Sequence, residues 1–585
     1  MTSEHRTRLT RLREALARAG LDGFIIPRAD EHLGEYVPEN AERLAYITGF
    51  TGSAGLAIVL PEKAAVFSDG RYTLQMEHET DPALWERRHI IEDKPEAWLL
   101  ANAAGRKIGY DPWLISPEGL RRFTGATLVP VAHNPVDEIW ADRPAPPLAP
   151  AVPHGEAFAG ESSAAKRARL AATLREAGQD AAILTDPASL AWLFNIRGAD
   201  LEFCPFALGY ALLYADAAAT LFMAPEKITP ELLAHLGPEV QTAGRAAMQA
   251  ALAAFAGKTM RYDPASMPAW FQTALRGLGA KIAEAPDPVA LPRACKNEAE
   301  QHGARAAHLR DGVAMVKFLA WLSTAKNETE LSAAAKLRAF RADGAKFRGE
   351  SFPAISGAGE NGAIIHYRVT EATNRPTKPN VVYLIDSGGQ YLDGTTDITR
   401  TLWTGPDEAP EDIKANVTRV LAGHIALARI VFPEGVAGPH LDVLARQELW
   451  RAGLDYDHGT GHGVGAYLSV HEGPAGISRA AKPVPLQTGM ILSNEPGYYL
   501  PGAYGVRMEN LMLVQPANVS AARKPFLRFE PLTLVPFGRA LITPALLPSD
   551  ALTWLNAYHA HVEATLAPHL PAPERAWLHT ACAPL

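Results

Sequence analysis

Four acidic residues in the C-terminal half of the chain stand where apolar, strand-like runs begin or end. Asp386 closes one such run and Asp397 opens the next, with a glycine-rich segment between them. The same arrangement recurs further along the chain with Glu495 and Glu509. We therefore expect the acids of each pair to face one another across a β-hairpin. Because desolvation disfavours an unpaired carboxylate, acids on buried strands need a cationic partner, and divalent metal ions are the obvious one.

One histidine, His462, lies between these pairs and completes a set of five candidate metal ligands: Asp386, Asp397, His462, Glu495 and Glu509. Oxygen ligands with one imidazole suit ions such as Mn²⁺, with Co²⁺, Fe²⁺ or Zn²⁺ able to substitute, and do not suit a structural thiolate zinc site. Four carboxylates offset two dications and leave room for a bridging hydroxide. Two ions about 3.5 Å apart can activate water and polarise a carbonyl group together. Each acid alone would be a strand-end cap or a surface ion pair, but their co-occurrence predicts metal-assisted hydrolysis.

A second motif, over residues 458–465, is rich in glycine and histidine. His458 and His462 have the i, i+4 spacing of a helical zinc motif. The glycines disfavour a helix, however, and no glutamate lies between the histidines, so we predict a loop or strand. The spacing also differs from G-x-G-x-x-G, which disfavours nucleotide binding. A lone histidine is usually structural, but near a candidate metal site His458, His471 and His366 are predicted to hydrogen-bond substrate and transition state.

Composition limits the classes of function. A chain of 585 residues is too long for one hydrophobic core and indicates three or four domains. A net charge of -8, with the basic residues dispersed, disfavours nucleic-acid binding. Three widely spaced cysteines argue against a disulfide framework, and neither a signal peptide nor an apolar run long enough to span a bilayer is recognisable. We expect a cytoplasmic protein that binds no membrane.

The N-terminal half contains an internal repeat. A helical pattern followed by a strand pattern over residues 11–26 recurs over residues 169–184. The repeat predicts two tandem α/β domains. The segment 144–153 between them carries five prolines, which remove backbone donors and favour an extended linker.

A third domain is predicted to begin after a group of prolines that ends at Pro292. Asn297 with Glu300 can cap a long helix there. From about residue 526 the chain continues as a C-terminal extension, in which Asp550 can cap an amphipathic helix over residues 552–566. The predicted domains are residues 1–150, 155–292 and 296–585.

With these residues in view, the chain resembles the aminopeptidase P group of proline-specific metallopeptidases, in the pita-bread metallopeptidase family. The match spans nearly the whole chain, and the three-domain length resembles the larger cytosolic members. Its most specific segments are residues 361–367, 386–388, 393–400, 458–465, 494–499 and 505–510. The resemblance implies an α/β protein with two tandem creatinase-N-like α/β domains followed by a C-terminal pita-bread α+β catalytic domain.

The resemblance also implies roles for the five candidate ligands. Asp386 would bind one metal ion, and His462 and Glu495 would bind the other. Asp397 and Glu509 would bridge both ions. Glu495 would in addition handle the proton of the nucleophile, although a glutamate bound to a dication is a weak base.

Four further residues receive roles by the same resemblance. His366, His458 and His471 would position the substrate and stabilise the tetrahedral intermediate. Arg71, in the first domain, would help to close the site and bind substrate. The alternative for Arg71 is a solvent-exposed hairpin arginine.

The implied reaction is removal of the N-terminal residue from peptides with proline at position two, through a metal-bridged hydroxide. Proline supplies no amide hydrogen and fixes φ, so such a bond needs a dedicated pocket. The implied partners are these peptides and a second copy of the chain in a homodimer. One alternative is a prolidase, which uses the same ligands but splits Xaa-Pro dipeptides; the tandem N-terminal domains favour the aminopeptidase. A non-catalytic peptide-binding scaffold of the same fold is a second alternative, which the complete ligand set disfavours.

Overall fold

The computed structural model describes residues 2–585 of the chain. The chain divides into two compact units, Met1–Ala290 and Leu291–Leu585. Each unit has its own sheets and its own hydrophobic core. Over residues 2–585, no helix combines the length and the apolarity that crossing a bilayer requires.

The first unit begins with a six-stranded sheet flanked by helices. Its strands are β1 (Gly23–Pro27), β2 (Leu56–Val59), β3 (Ala64–Ser68), β4 (Glu86–His89), β5 (Lys107–Tyr110) and β6 (Thr127–Pro130), in the order β4-β3-β2-β1-β5-β6. Its helices are α1 (Thr2–Arg18), α2 (Arg43–Thr48), α3 (Thr73–Glu79), α4 (Pro95–Ala103), α5 (Pro117–Arg121) and α6 (Pro135–Ile139). Leu12 and Leu16, about one helical turn apart in α1, share a core with Phe24 and Ile26 of β1.

A second six-stranded sheet follows a short two-stranded ribbon of β7 (Val152–Pro153) and β9 (Ile196–Arg197). The sheet contains β8 (Ala181–Leu184), β10 (Tyr210–Tyr214), β11 (Ala219–Phe222), β12 (Val240–Ala243), β13 (Thr259–Tyr262) and β14 (Lys281–Glu284), in the order β12-β11-β10-β8-β13-β14. The helices are α7 (Glu156–Ala159), α8 (Ser163–Glu176), α9 (Pro187–Leu193), α10 (Pro230–Leu236), α11 (Met248–Ala253) and α12 (Ala269–Gly277).

The two sheets have the same topology. In each, the strand that follows the long helix, β1 after α1 or β8 after α8, pairs antiparallel with one neighbour and parallel with the other. The predicted tandem α/β repeat is therefore confirmed. The proline-rich segment 144–153 follows the prediction in part, because residues 144–151 form neither helix nor strand whereas Val152 and Pro153 form β7.

The second unit is a mixed arrangement of antiparallel sheets and long helices. Its strands are β15 (Phe347–Glu350), β16 (Ile355–Ala358), β17 (Val381–Ser387), β18 (Gly389–Tyr391), β19 (Gly394–Thr395), β20 (Ile398–Thr404), β21 (Val431–Pro433), β22 (Gly461–Gly463), β23 (Glu472–Ile477), β24 (Ile491–Asn494), β25 (Gly497–Leu500), β26 (Tyr504–Arg507), β27 (Asn510–Ala517) and β28 (Phe526–Pro531). They form the sheets β15-β18-β19, β16-β17-β20, β21-β28-β27-β24-β22-β23 and β25-β26. The helices are α13 (Ala290–Ala294), α14 (Glu298–Thr324), α15 (Glu330–Ala342), α16 (Glu411–Ala428), α17 (Gly438–Trp450), α18 (Ser549–Leu566) and α19 (Ala572–Cys582).

Two predicted helix caps in this unit have different outcomes. The Asn297 cap is confirmed, because its side chain accepts from the backbone of Glu300 while the Glu300 side chain accepts from the backbone of Asn297. The Asp550 cap is wrong. Pro548 occupies the N-cap position of α18, so Asp550 falls within the first turn, where its carboxylate pairs with Arg429 instead.

Candidate metal centre

The four acids lie at the ends of two pairs of antiparallel strands. Asp386 in β17 lies opposite Thr399 in β20, and Asp397 immediately precedes β20. Glu495 immediately follows β24, and Glu509 immediately precedes its partner β27. The predicted strand pairing is confirmed, with one difference. The glycine-rich connections are not single turns, because each contains a further hairpin, β18–β19 or β25–β26.

Strand β20 brings the two pairs together. The Thr399 hydroxyl donates to Oε2 of Glu509 at 2.8 Å, and the backbone N–H of Glu509 donates to the Thr399 carbonyl at 3.1 Å. Ligand-type atoms of Asp397, His462 and Glu509 all lie within 4.8 Å of one another. Acids from both halves of the unit and the histidine therefore meet at one point.

The His462 ring is oriented by the backbone of β22. Its Nδ1 lies 2.9 Å from the Gly463 carbonyl, which can only accept, so Nδ1 carries the hydrogen. In the neutral ring Nε2 then presents its lone pair, 3.6 Å from Oδ2 of Asp397 and 3.4 Å from Oε1 of Glu495. A lone pair that faces two carboxylates is unfavourable unless a cation lies between them, and this orientation is typical of metal-binding histidines.

The carboxylates repel one another in a buried site. Burial raises the pKa of Asp397 and of Glu509 well above the ordinary values, and the neighbouring carboxylates raise both further. Burial also raises the pKa of Glu495 to about 7, with Asp386 adding to the rise and Arg507 opposing it. Oδ1 of Asp386 is buried and accepts no hydrogen bond. Excess negative charge, an orphaned carboxylate oxygen and an oxygen-rich donor set together fit divalent cations.

A buried arginine connects this centre to His458. Arg507 donates from Nη2 to Oδ2 of Asp386 at 2.5 Å and from Nη1 to the Tyr499 hydroxyl at 2.7 Å. Tyr499 in turn donates to Nε2 of His458 at 2.9 Å, because Nδ1 of that ring donates to a backbone carbonyl. The sequence interpretation gave Arg507 no role. The signal that could have found it is spacing, because a residue two positions before Glu509 in an extended segment shares its face.

Two other predicted histidines lie on separate segments of the same unit. His471 packs edge-on against His462, with ring centroids 4.3 Å apart. His366 is half-buried in a turn that follows the 3₁₀ helix Gly359–Ala363. That helix lies against β26, where a Cβ on Gly505 would be 1.7 Å from the Gly362 carbonyl oxygen, so the close approach requires glycine.

Arg71 belongs to the first unit, whereas the five candidate ligands belong to the second. It lies between β3 and α3, where its guanidinium pairs with Asp69 at 2.8 Å. The same guanidinium lies 5.3 Å from the centre of the Tyr72 ring. Its predicted role at the site stays a prediction.

The C-terminal extension reaches the candidate centre through Arg400, which sequence reasoning also missed. Arg400 is fully buried in β20 and donates to the Glu509 carbonyl at 2.7 Å. It also donates to the carbonyls of Val535 and Pro536, at 2.6 and 3.1 Å, and stacks over the Phe537 ring at 4.2 Å. Burial among these neutral groups lowers the pKa of Arg400. The backbone of Glu509 is thereby tied to the extension.

Models of known protein families match consecutive stretches of the chain. The creatinase/prolidase N-terminal domain matches residues 8–139 and, in a second version, residues 142–300. Metallopeptidase family M24 matches residues 302–516, and the C-terminal region of peptidase M24 matches residues 525–585.

Individual proteins are similar along nearly the full length. A probable Xaa-Pro aminopeptidase P from Neosartorya fischeri is 40% identical over 583 residues, covering 95% of this chain and 88% of the relative. The crystal structure of X-prolyl aminopeptidase from Caenorhabditis elegans, a cytosolic enzyme with a di-nuclear active site, matches with a TM-score of 0.93 at 32% identity, over 99% of this chain and 100% of that one. A recombinant prolidase from Thermococcus sibiricus, 22% identical with a TM-score of 0.52, shares the fold over 64% of this chain and 98% of its own.

Proposed function

Because the chain belongs to the Xaa-Pro aminopeptidase P group of metallopeptidase family M24, we propose that it removes the first residue from peptides with proline at position two. Its two N-terminal domains are of the creatinase type, and its C-terminal unit has the pita-bread fold. The reaction is hydrolysis by a two-metal centre, and the substrates are peptides longer than an Xaa-Pro dipeptide. A near full-length match to the nematode enzyme, against a partial match to the prolidase, supports the aminopeptidase over the prolidase.

The observation that carries this proposal is the cluster of Asp397, His462 and Glu509, whose ligand-type atoms lie within 4.8 Å of one another. Glu495 lies 3.4 Å from Nε2 of the same histidine, and the charge of Asp386 raises the pKa of Asp397. We assign Asp386 to one ion and His462 with Glu495 to the other. Asp397 and Glu509 come from different strand pairs and have ligand-type atoms within 4.8 Å of each other and of His462, so they would bridge both ions. The mutual repulsion of the acids and the lone pair of His462 support two dications rather than a structural ion pair.

Divalent ions at such a centre supply Lewis-acid chemistry, polarising the scissile carbonyl and making water a stronger acid. The chain's own residues hold the substrate and move the proton. Glu495 has the more exposed side chain, 18% against 9% for Asp386 and 5% for Asp397, so it is the acid that can exchange a proton with the peptide at Oε1.

Three histidines are proposed to bind and orient the peptide. His471 packs against His462 and so stands beside the ligands. His458 is held by Tyr499 and acts together with that hydroxyl group. His366 is assigned to the substrate side of the centre, and Arg71 of the first domain to its closure over bound peptide.

We further propose Mn²⁺ as the physiological ion, with Co²⁺, Fe²⁺ or Zn²⁺ able to replace it, because carboxylates with one imidazole suit these ions. The protein is proposed to be cytoplasmic and to act as a homodimer. Its proposed domains remain residues 1–150, 155–292 and 296–585, with the extension from about residue 526, where strand β28 leads into helices α18 and α19.

A peptide panel tests the proposed activity. The enzyme supplied with Mn²⁺ is expected to release the first residue from an Xaa-Pro-Yaa peptide faster than it splits the matching Xaa-Pro dipeptide, and to leave an Xaa-Ala-Yaa peptide intact. A preference for the dipeptide would instead identify a prolidase. Equal turnover by the wild-type protein and Asp397→Ala would identify a scaffold with contaminating activity.

A further inference from the structure

A buried glutamate outside the metal centre accepts hydrogen bonds from several residues of the segment that carries His366. Glu330, at the N-terminus of α15, is completely buried. Its Oε1 accepts from the backbone N–H of Ala358 at 2.7 Å, and its Oε2 accepts from the backbone N–H of Arg375 at 3.0 Å. These donors stand at the two ends of residues 358–375. One carboxylate therefore holds the two ends of the segment together.

Two side chains inside the segment bind the same carboxylate. Nδ2 of Asn361 donates to both oxygens, at 3.0 and 3.1 Å, and the Tyr367 hydroxyl donates to Oε2 at 3.1 Å. Asn361 also donates to the Tyr367 hydroxyl at 2.8 Å. Because these residues flank His366, the chain is fixed on both sides of that histidine.

The donors that surround Glu330 are neutral. Burial raises the pKa of this carboxyl group, and the hydrogen bonds from Ala358, Asn361, Arg375 and Tyr367 oppose the rise. A buried carboxylate without a counter-cation is a costly way to stabilise a fold. The carboxylate contributes by fixing the positions of its donors, because only a carboxylate offers two acceptor oxygens to donors that approach from several directions. A glutamine would turn an N–H toward one of these donors.

The segment lies against the elements that carry the proposed ligands. Ala358 ends β16, in which Ile355 lies opposite Asp386 of β17. Further along, the Gly362 carbonyl lies against Gly505 of β26. A displaced segment would therefore move His366 relative to the centre without removing a ligand.

We propose that Glu330 is a positioning residue that holds residues 358–375 so that His366 meets the peptide in the orientation that hydrolysis requires. The inference rests on the proposed function, since it takes His366 as a peptide-binding residue. Glu330 acts through His366 and touches neither the proposed ligands nor the peptide.

A double-mutant cycle tests this coupling. The four proteins are the wild type, Glu330→Gln, His366→Ala and the double variant, assayed on an Xaa-Pro-Yaa peptide with Mn²⁺. Glu330→Gln is expected to lower kcat/KM roughly tenfold to a hundredfold, as small misplacements of an oriented group do. In the His366→Ala background the same change is expected to have an effect of less than about twofold, because the group that it positions is absent. Metal content should equal that of the wild type in all four.

Controls separate positioning from general damage. Asp311→Asn removes another buried carboxylate, which binds Arg341 and Tyr391 rather than the His366 segment, and should cost the same factor in both His366 backgrounds. Tyr367→Phe removes only the hydroxyl donor and should show the same coupling to His366 with a smaller loss, which keeps the test open if Glu330→Gln does not fold. The inference would be overturned if Glu330→Gln lowered kcat/KM by the same factor in both His366 backgrounds, or if Glu330→Gln lost metal.

A measurement that needs no activity distinguishes this failure from failure of the proposed function. Amide hydrogen exchange at Ala358 and Arg375 should accelerate in Glu330→Gln, with exchange in β24 and β27 unchanged. If the wild type cleaved no Xaa-Pro-Yaa peptide, the proposed function would fail on its own. If exchange at both amides stayed at the wild-type rate, the inference would fail whatever the substrate.

Discussion

Replacing Thr399 by valine perturbs the candidate centre with a change of one functional group. The Thr399 hydroxyl donates to Oε2 of Glu509 at 2.8 Å and accepts from Nε of Arg507 at 3.2 Å, in a fully buried position. Valine has a similar shape but makes neither bond. The carboxylate of Glu509 would lose a donor, which raises its pKa further and makes a proton a stronger competitor for the metal ions.

The expected magnitude follows from the bond that is lost. A hydrogen bond to a charged group contributes about 1.5–3 kcal/mol. At about 1.4 kcal/mol per factor of ten, metal affinity should fall between about tenfold and a hundredfold. Groups that orient metal ligands show losses of this size, on the order of 10–100-fold.

The matched control is Thr401→Val. Thr401 is also fully buried in β20, but its hydroxyl donates to the Arg507 carbonyl at 2.8 Å and accepts from the Arg507 N–H at 3.1 Å. The substitution Thr401→Val should therefore lower thermal stability without removing a hydrogen bond from a carboxylate. The metal-free proteins are titrated with Mn²⁺ in a calorimeter. The Mn²⁺ affinity should be weaker in Thr399→Val and close to that of the wild type in Thr401→Val. Equal affinities for Thr399→Val and wild type, or equal losses for both variants, would refute this account of Glu509.

Three further predictions test other parts of the structure. Because raised pKa values of Asp397, Glu509 and Glu495 favour their protonated forms, the stabilisation that these three groups give the metal-free protein should be complete below pH about 4 and should be lost as pH rises through their pKa values in the fold, about 7 for Glu495. The Tm rise produced by Mn²⁺ should therefore grow from pH 5 to pH 8 and vanish near pH 4; a pH-independent rise would contradict the ligand set. Arg507→Lys keeps the charge but cannot bind Asp386, Tyr499 and Thr399 at once, so kcat/KM should fall more than in Tyr499→Phe, and the reverse order would remove Arg507 from the network. Gly505→Ala places a Cβ 1.7 Å from the Gly362 oxygen and should destabilise the fold by about 1–3 kcal/mol or more in denaturant unfolding, whereas Gly277→Ala, whose Cβ meets nothing within 4 Å, should not.

Features that depend on local sequence were the predictable ones. The acids at strand ends, the helix-then-strand repeat and the Asn297 cap each follow from residues a few positions apart. They proved sufficient for the fold class and for the strands that carry the candidate ligands. Asp550 shows the limit of such rules, because a helix can begin at Ser549 after Pro548 and leave an apparent cap inside its first turn.

Features that depend on distant contacts could not be predicted. Arg400 binds carbonyls 109 and 135 positions further along the chain, and Arg507 binds a carboxylate 121 positions earlier. In the sequence both are ordinary arginines in strands. Spacing alone can place Arg507 on the face of Glu509, but only folding determines which buried acceptors the two arginines reach. Glu330 was missed for the same reason, because its backbone donors, Ala358 and Arg375, lie 28 and 45 positions further along the chain, and no periodic pattern connects them to it.

The proposed function requires that five side chains hold two divalent ions. Its most direct test is to strip the protein of metal, titrate it with Mn²⁺ and count bound ions by elemental analysis, alongside Asp397→Asn. We expect two ions per chain in the wild type, exchange coupling between them in the electron paramagnetic resonance spectrum, and loss of that coupling in the variant. A single ion, or two uncoupled ions unaffected by Asp397→Asn, would contradict it.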